Sequence, residues 1–219
     1  MFVTDPTSRP SERFIQSLQS YFQEQNYTYK KSHKLFSRSF SKGLQNVGFW
    51  FRISTLTDVT LNWSAQFTKL EKLLAELNGH PKPYKSNFTV AADFSNYTRW
   101  EENVEREWTL YDPKTLQYDD FSINNAAKKL ITAYEQYTMP YFEKFKNYFD
   151  LEVMFNQREY KSIAGIILAK YTNNPDFDLL VEAFYEQAMK MENGVSPKIA
   201  LLERTIKYLN SNNIRKILD

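Results

Sequence analysis

The sequence predicts an α+β fold, with an N-terminal helix and antiparallel β-meander followed by a C-terminal helical bundle. Three observations predict it. Apolar residues from Phe14 to Phe22 recur at helical spacing; from Tyr27 to Phe67 the period falls to two; beyond residue 120 it returns to 3.6. Segregated strands and helices of this kind mark α+β rather than alternating α/β proteins. The change of period divides the chain into residues 1–118, an α+β meander domain, and 119–219, an all-helical domain or subdomain packed on it.

Residues 1–7 read as a loose tail. Pro10 suits a first helical position and Glu12 the first turn, where a carboxylate meets the positive end of the helix dipole. Phe14, Ile15, Leu18, Tyr21 and Phe22 then form one stripe, and the helix should end near Gln25. Tyr27 and Tyr29 mark a short strand. Leu35–Ser41 is the next, with Phe36, Arg38 and Phe40 on one face and Ser37, Ser39 and Ser41 on the other. After a Lys42-Gly43 turn, Val47, Phe49, Phe51 and Ile53 alternate with Gly48, Trp50 and Arg52. After a turn near Asp58, Val59, Leu61, Trp63, Ala65 and Phe67 alternate with Thr60, Asn62, Ser64 and Gln66.

A helical stripe of Leu70, Leu73, Leu74 and Leu77 follows, capped by Asn78-Gly79 and stopped by Pro81 and Pro83. Phe88, Val90, Ala92 and Phe94 make another strand, as do Trp108 and Leu110 before the Tyr111-Asp112-Pro113 turn; residues 99–107 are too charged to assign. About five helices then follow. Ile123, Ala126, Ala127, Leu130, Ile131 and Tyr134 stripe the first, and Pro140 starts a second carrying Phe142, Phe145 and Phe149. Tyr160, Ile163, Ile166 and Ile167 mark a third. Asn174-Pro175 opens a helix with Leu179, Leu180, Ala183 and Phe184, and Ser196-Pro197 opens the last, with Ile199, Leu202, Ile206 and Leu209. Their starts lie near twenty residues apart, but no consensus recurs, so a bundle is expected rather than a solenoid.

The 219 residues contain no cysteine, which removes thiolate catalysis, disulfides, iron–sulfur clusters and cysteine-held zinc. A cysteine-free chain fits a reducing compartment, and the expected location is cytoplasmic. Asp5, Arg9, Glu12 and Arg13 break up any signal-peptide core. The longest uncharged apolar run, Ile163–Ala169, is far short of the roughly 20 residues of a membrane span. Only two histidines occur, His33 and His80, and there is no glycine-rich phosphate loop, dinucleotide fingerprint or metalloprotease motif. No catalytic residue, metal or cofactor is therefore expected. The composition is instead marked by aromatics: 17 Phe, 15 Tyr and 4 Trp, enough to fill a core and furnish a contact surface.

Charge is segregated. Between Gln25 and Thr57 there is no acid, while Lys30, Lys31, Lys34, Arg38, Lys42 and Arg52 are present. Between Asp93 and Asp120 eight acids face only Arg99, Arg106 and Lys114. Either the basic sheet surface holds an acidic partner or a nucleic-acid backbone, or the two stretches pair with each other across strands. Arg38, between Phe36 and Phe40, is either a buried guanidinium in need of a carboxylate or part of an open stacking face. Trp50 and Arg52 either anchor a polar binding face, or the C-terminal helices cover Trp50.

The segment Phe14–Asn78 combines an amphipathic helix, a Tyr-x-Tyr-Lys-Lys entry at Tyr27–Lys31 and a meander reading LFSRSF, NVGFWFRI and VTLNWSAQF. In these features it resembles an uncharacterised bacterial family known only as a domain of unknown function. That resemblance implies a bacterial cytoplasmic protein and assigns no functional residue. The expected function is a non-enzymatic protein-interaction module of the accessory or immunity kind, with a protein partner. The alternatives are nucleic-acid binding through the basic meander, with Trp50 stacking, and an enzyme using carboxylates of the acidic stretch.

Overall fold

A computed structural model describes residues 9–53, 56–80, 82, 88–159, 161–191 and 197–219. The expected tail at 1–7, the Pro81 and Pro83 stop, the Tyr160 start and the Ser196 cap lie outside the described residues. Helix α1 (Pro10–Glu24) leads into β1 (Thr28–Lys30), a single 3₁₀ turn (Lys31–His33), β2 (Leu35–Phe40), β3 (Gly43–Ile53) and β4 (Thr57–Phe67). Then come α2 (Thr68–Leu77), β5 (Val90–Asp93), α3 (Phe94–Tyr97) and β6 (Trp108–Thr109). The remainder is helical: α4 (Asp120–Ala133), α5 (Met139–Glu143), α6 (Tyr148–Asn156), α7 (Ile163–Thr172), α8 (Phe177–Met191), α9 (Pro197–Ser211) and α10 (Ile214–Leu218). The predicted α+β order is what the structure shows.

Two compact units are interleaved along the chain. One comprises residues up to 40 with 44–66 and 90–142; the other comprises 41–43, 67–89 and 143–219. Residue 118, the expected boundary, falls inside the first unit, because α4 packs on α1.

In the first unit the strands run in the order β1-β2-β3-β4-β5, and β6 also pairs with β4. β5 and β6 share one edge of β4: Asn62 lies opposite Asp93 and Val59 opposite Trp108, both antiparallel. The apolar side of the meander meets α1. Phe22 stacks on Phe36 at 4.5 Å, and Phe14 meets Phe49 and Phe51 edge-on at 5.9 and 6.0 Å. Phe14, Leu18 and Phe22 are wholly buried, each stabilising the fold by about 1.5–3 kcal/mol. A second side of α1 faces α4, where Arg13 pairs with Asp120 and the Tyr21 hydroxyl donates to Glu135 at 2.8 Å. Asn26 takes the left-handed conformation (φ 62°) that ends α1, and Tyr27 N–H bonds back to the Phe22 carbonyl at 2.8 Å.

The expected new helix at Pro140 is not formed. Helix α4 instead widens into a π turn at Tyr134–Thr138 and continues as α5 through Pro140. A proline ring clashes with the carbonyl four residues back and offers no N–H, and a widened turn relieves both problems. The break comes later, and α6 starts where the Asn147 side chain accepts from Phe149 N–H (2.8 Å) and Asp150 N–H (3.0 Å). Phe149 is consequently exposed.

In the second unit α7 is the centre. Ile163 to Ala169 are all buried, and α2, α6, α8, α9 and α10 all contact it. A helix apolar on every side must be surrounded in this way. Gly165 lets α6 approach: a Cβ there would sit 2.5 Å from Asn156 Oδ1. The same Asn156 amide donates to buried Glu152 (2.5 Å), which also accepts from Asn174 (2.7 Å). Helix α8 begins at Phe177, two residues after Pro175, so Leu179 faces outward while Leu180, Phe184 and Ala188 are buried. Helix α2 ends as expected: Gly79 is left-handed (φ 77°), its N–H bonds the Glu76 carbonyl, and His80 N–H bonds the Ala75 carbonyl. Among the described residues, no helix is long and apolar enough to cross a membrane.

Candidate functional site

The strand period assigns each meander residue to a face. Val47, Phe49, Val59, Leu61, Trp63 and Ala65 are buried on the α1 side. The opposite face is lined by Asn46, Gly48, Trp50 and Arg52 of β3 and by Asp58, Thr60, Asn62 and Ser64 of β4. Three close approaches establish the pairing: Asn46 Nδ2 to Ser64 Oγ at 3.4 Å, Gly48 against Asn62, and Arg52 to Asp58 at 3.0 Å. Antiparallel register adds Ala91 and Asp93 from β5 and Thr109 from β6. Asn46 and Ser64 are buried, whereas Trp50 is 65% exposed. The polar face is thus closed at one end and open around Trp50.

The seven residues singled out from the sequence separate. Trp50 and Arg52 stay together on the open end. Arg52 is clamped between two carboxylates, Asp58 and Glu107 at 2.7 Å, so the basic and acidic stretches do meet here. Glu107 lies two residues before Thr109, which faces Asp58 across the sheet. Of the two readings left open for Trp50, its exposure fits the uncovered one.

Arg38 lies on the other face and is half-buried. Its guanidinium stacks 4.7 Å above the Tyr27 ring, Nε donates to Gln45 at 2.8 Å, and a further N–H reaches the Gln25 carbonyl at 3.4 Å. The carboxylate expected for this position is replaced by neutral acceptors and a ring, which suffice because the group keeps some contact with water. Beneath it, the Tyr27 and Tyr134 hydroxyls share a hydrogen bond at 3.1 Å. Burial pushes both phenols above the ordinary tyrosine range.

Lys42 belongs to the second unit, where its ammonium lies 5.1 Å above the Tyr148 ring and 3.4 Å from Asp219. Lys30, Lys31 and Lys34 are exposed and form no ion pair among the described residues. In the acidic stretch, Glu105 pairs with Lys129 at 2.7 Å and Glu101 accepts from the Tyr137 hydroxyl at 2.8 Å. Among the described residues, no group of three or more His, Asp or Glu side chains gathers as a metal site requires.

Compared with protein-family models, curated proteins and solved structures, the chain finds no match. The chemical character of the site therefore rests on the residues just described.

Proposed function

We propose that the chain is a protein-interaction module whose contact surface is the open end of the polar sheet face, centred on Trp50 and Arg52. The exposed Trp50 indole carries this reading: a large apolar ring projects from a surface of small polar side chains. Tryptophan and arginine, with tyrosine, are the residue types most enriched at binding hot spots, and an indole offers a large rigid surface on only two side-chain torsions. Arg52 is already held in place by Asp58 and Glu107, so little of its freedom remains to be lost on docking. Those carboxylates also cancel its charge locally. The partner surface that fits is consequently weakly charged, with an apolar socket for the indole.

A photo-crosslinker at exposed Thr109, on the same face, tests this in the native cell, with exposed Lys72 on α2 as the control site. A discrete adduct is expected from Thr109 and not from Lys72. Trp50→Ala should abolish it, in keeping with the 2 kcal/mol or more, roughly 30-fold in affinity, of a hot-spot tryptophan. An adduct that persists in Trp50→Ala, or none at all, refutes the proposal.

A further inference from the structure

A groove of about 420 Å³ runs along the α1 side of the sheet edge. Its size lies within the roughly 300–1,000 Å³ typical of small-molecule sites. One wall is the face of α1 carrying Glu12, Gln16 and Gln19; the floor is Ile15, Tyr29 and Phe51; the rim carries Arg9, Lys31 and Lys34. The helical residues share this wall because they recur at intervals of three and four. Lys31 opens the 3₁₀ turn and Lys34 follows its end, and both line the groove. That turn closes with Lys34 in the left-handed region (φ 51°, ψ 44°), an unusual conformation for a residue with a side chain.

We propose that this groove binds a phosphate monoester carried on a planar ring, of the size of a nucleoside monophosphate. The groove sets three cations against one carboxylate, Glu12, leaving a surplus of two positive charges to match a phosphate dianion. None of the three cations has an ion pair among the described residues. Tyr29 and Phe51 are half-buried, and their rings offer stacking surface. Gln16 and Gln19 present both donors and acceptors to ring heteroatoms or hydroxyls. A single nucleotide fits better than a strand. Of the other meander cations, Arg38 is committed to Tyr27 and Gln45, Lys42 to Asp219, and Arg52 lies on the opposite face, so only Lys30 is unpaired beside the rim among the described residues. Phe51 points to the face opposite Trp50, so this site is independent of the proposed protein contact.

Calorimetric titration of the purified full chain with adenosine monophosphate, at low salt, tests the proposal. One saturable site is expected, with inorganic phosphate and adenosine each binding more weakly. The double variant Lys31→Ala/Lys34→Ala alters two exposed side chains and should weaken binding about tenfold or more. Trp50→Ala should leave it unchanged, which separates this site from the protein contact. No saturable binding, equal affinity in the double variant, or inorganic phosphate binding as tightly as the nucleotide would each overturn the proposal. Affinity that grows with oligonucleotide length would also overturn it, in favour of a strand-binding surface.

Discussion

Gly165→Ala should destabilise the protein, although helix propensity alone predicts a gain. Position 165 lies in α7, where alanine is favoured over glycine by up to about 1 kcal/mol. The new methyl would overlap Asn156 Oδ1, 2.5 Å away, and Phe155 Cβ lies at 3.4 Å, so the Asn156 side chain has to swing out. Doing so breaks its hydrogen bond to buried Glu152, a charged acceptor worth about 1.5–3 kcal/mol. It also breaks the bond to the Gly165 carbonyl at 3.2 Å, worth about 1 kcal/mol more. The loss exceeds the gain by about 2 kcal/mol, which for a chain of this size lowers the melting temperature by about 4–8 °C. Thermal unfolding followed by circular dichroism reads this directly. A double-mutant cycle isolates the cause: in an Asn156→Ala background the clash is gone, and Gly165→Ala should be neutral or stabilising. A rise in melting temperature for the single variant, or an equal fall in both backgrounds, refutes the reasoning.

Other expectations follow from burial and capping. Trp50→Ala should change stability by no more than about 0.5 kcal/mol, while Phe22→Ala, at a wholly buried position, should cost about 3–5 kcal/mol; urea denaturation distinguishes them. Asn147→Ala removes two bonds to the first turn of α6 and should cost about 1 kcal/mol, measured the same way. Glu71 is buried and accepts from the Thr89 hydroxyl at 2.8 Å; desolvation raises its pKa despite that bond. The folded state therefore holds this proton more tightly than the unfolded state, and Glu71 contributes less stability as pH rises above the ordinary glutamate range. Glu71→Gln should be more stable than the parent near pH 7, with the advantage shrinking as pH falls towards about 4 in denaturation curves.

The strands were legible because one face of the sheet is buried and period-two alternation reports that directly, most clearly from Val59 to Phe67. For α7 the spacing of Ile163, Ile166 and Ile167 marks a helix but not its central place, which the burial of every residue from Ile163 to Ala169 shows. Local chemistry explains part of the difference between the sequence pattern and the structure. Asn147 with Asp150 three residues on is a helix-start signal, but the spacing of Phe142, Phe145 and Phe149 suggested one continuous helix. Pro140 looked like a helix start because the same residue type serves at a first position and behind a π turn. At the candidate site the side assignments of Trp50 and Arg52 could be read from parity alone. The exposure of Trp50 could not, because it depends on what else in the fold covers that face. Glu107 as a partner for Arg52 required the pairing of a two-residue strand, too short to carry a pattern.

The turn that ends α2 also bears on how the protein ages. Asn-Gly sequences deamidate when the glycine nitrogen attacks the preceding side-chain amide. At Asn78-Gly79 that nitrogen is held by the Glu76 carbonyl at 2.9 Å, and the Asn78 amide is tied to the Leu74 carbonyl at 2.7 Å. The fold restrains both reacting groups and releases them together when this helix end frays. Mass gained at residue 78 during storage would thus act as a chemical clock, recording how long the end of α2 has spent open.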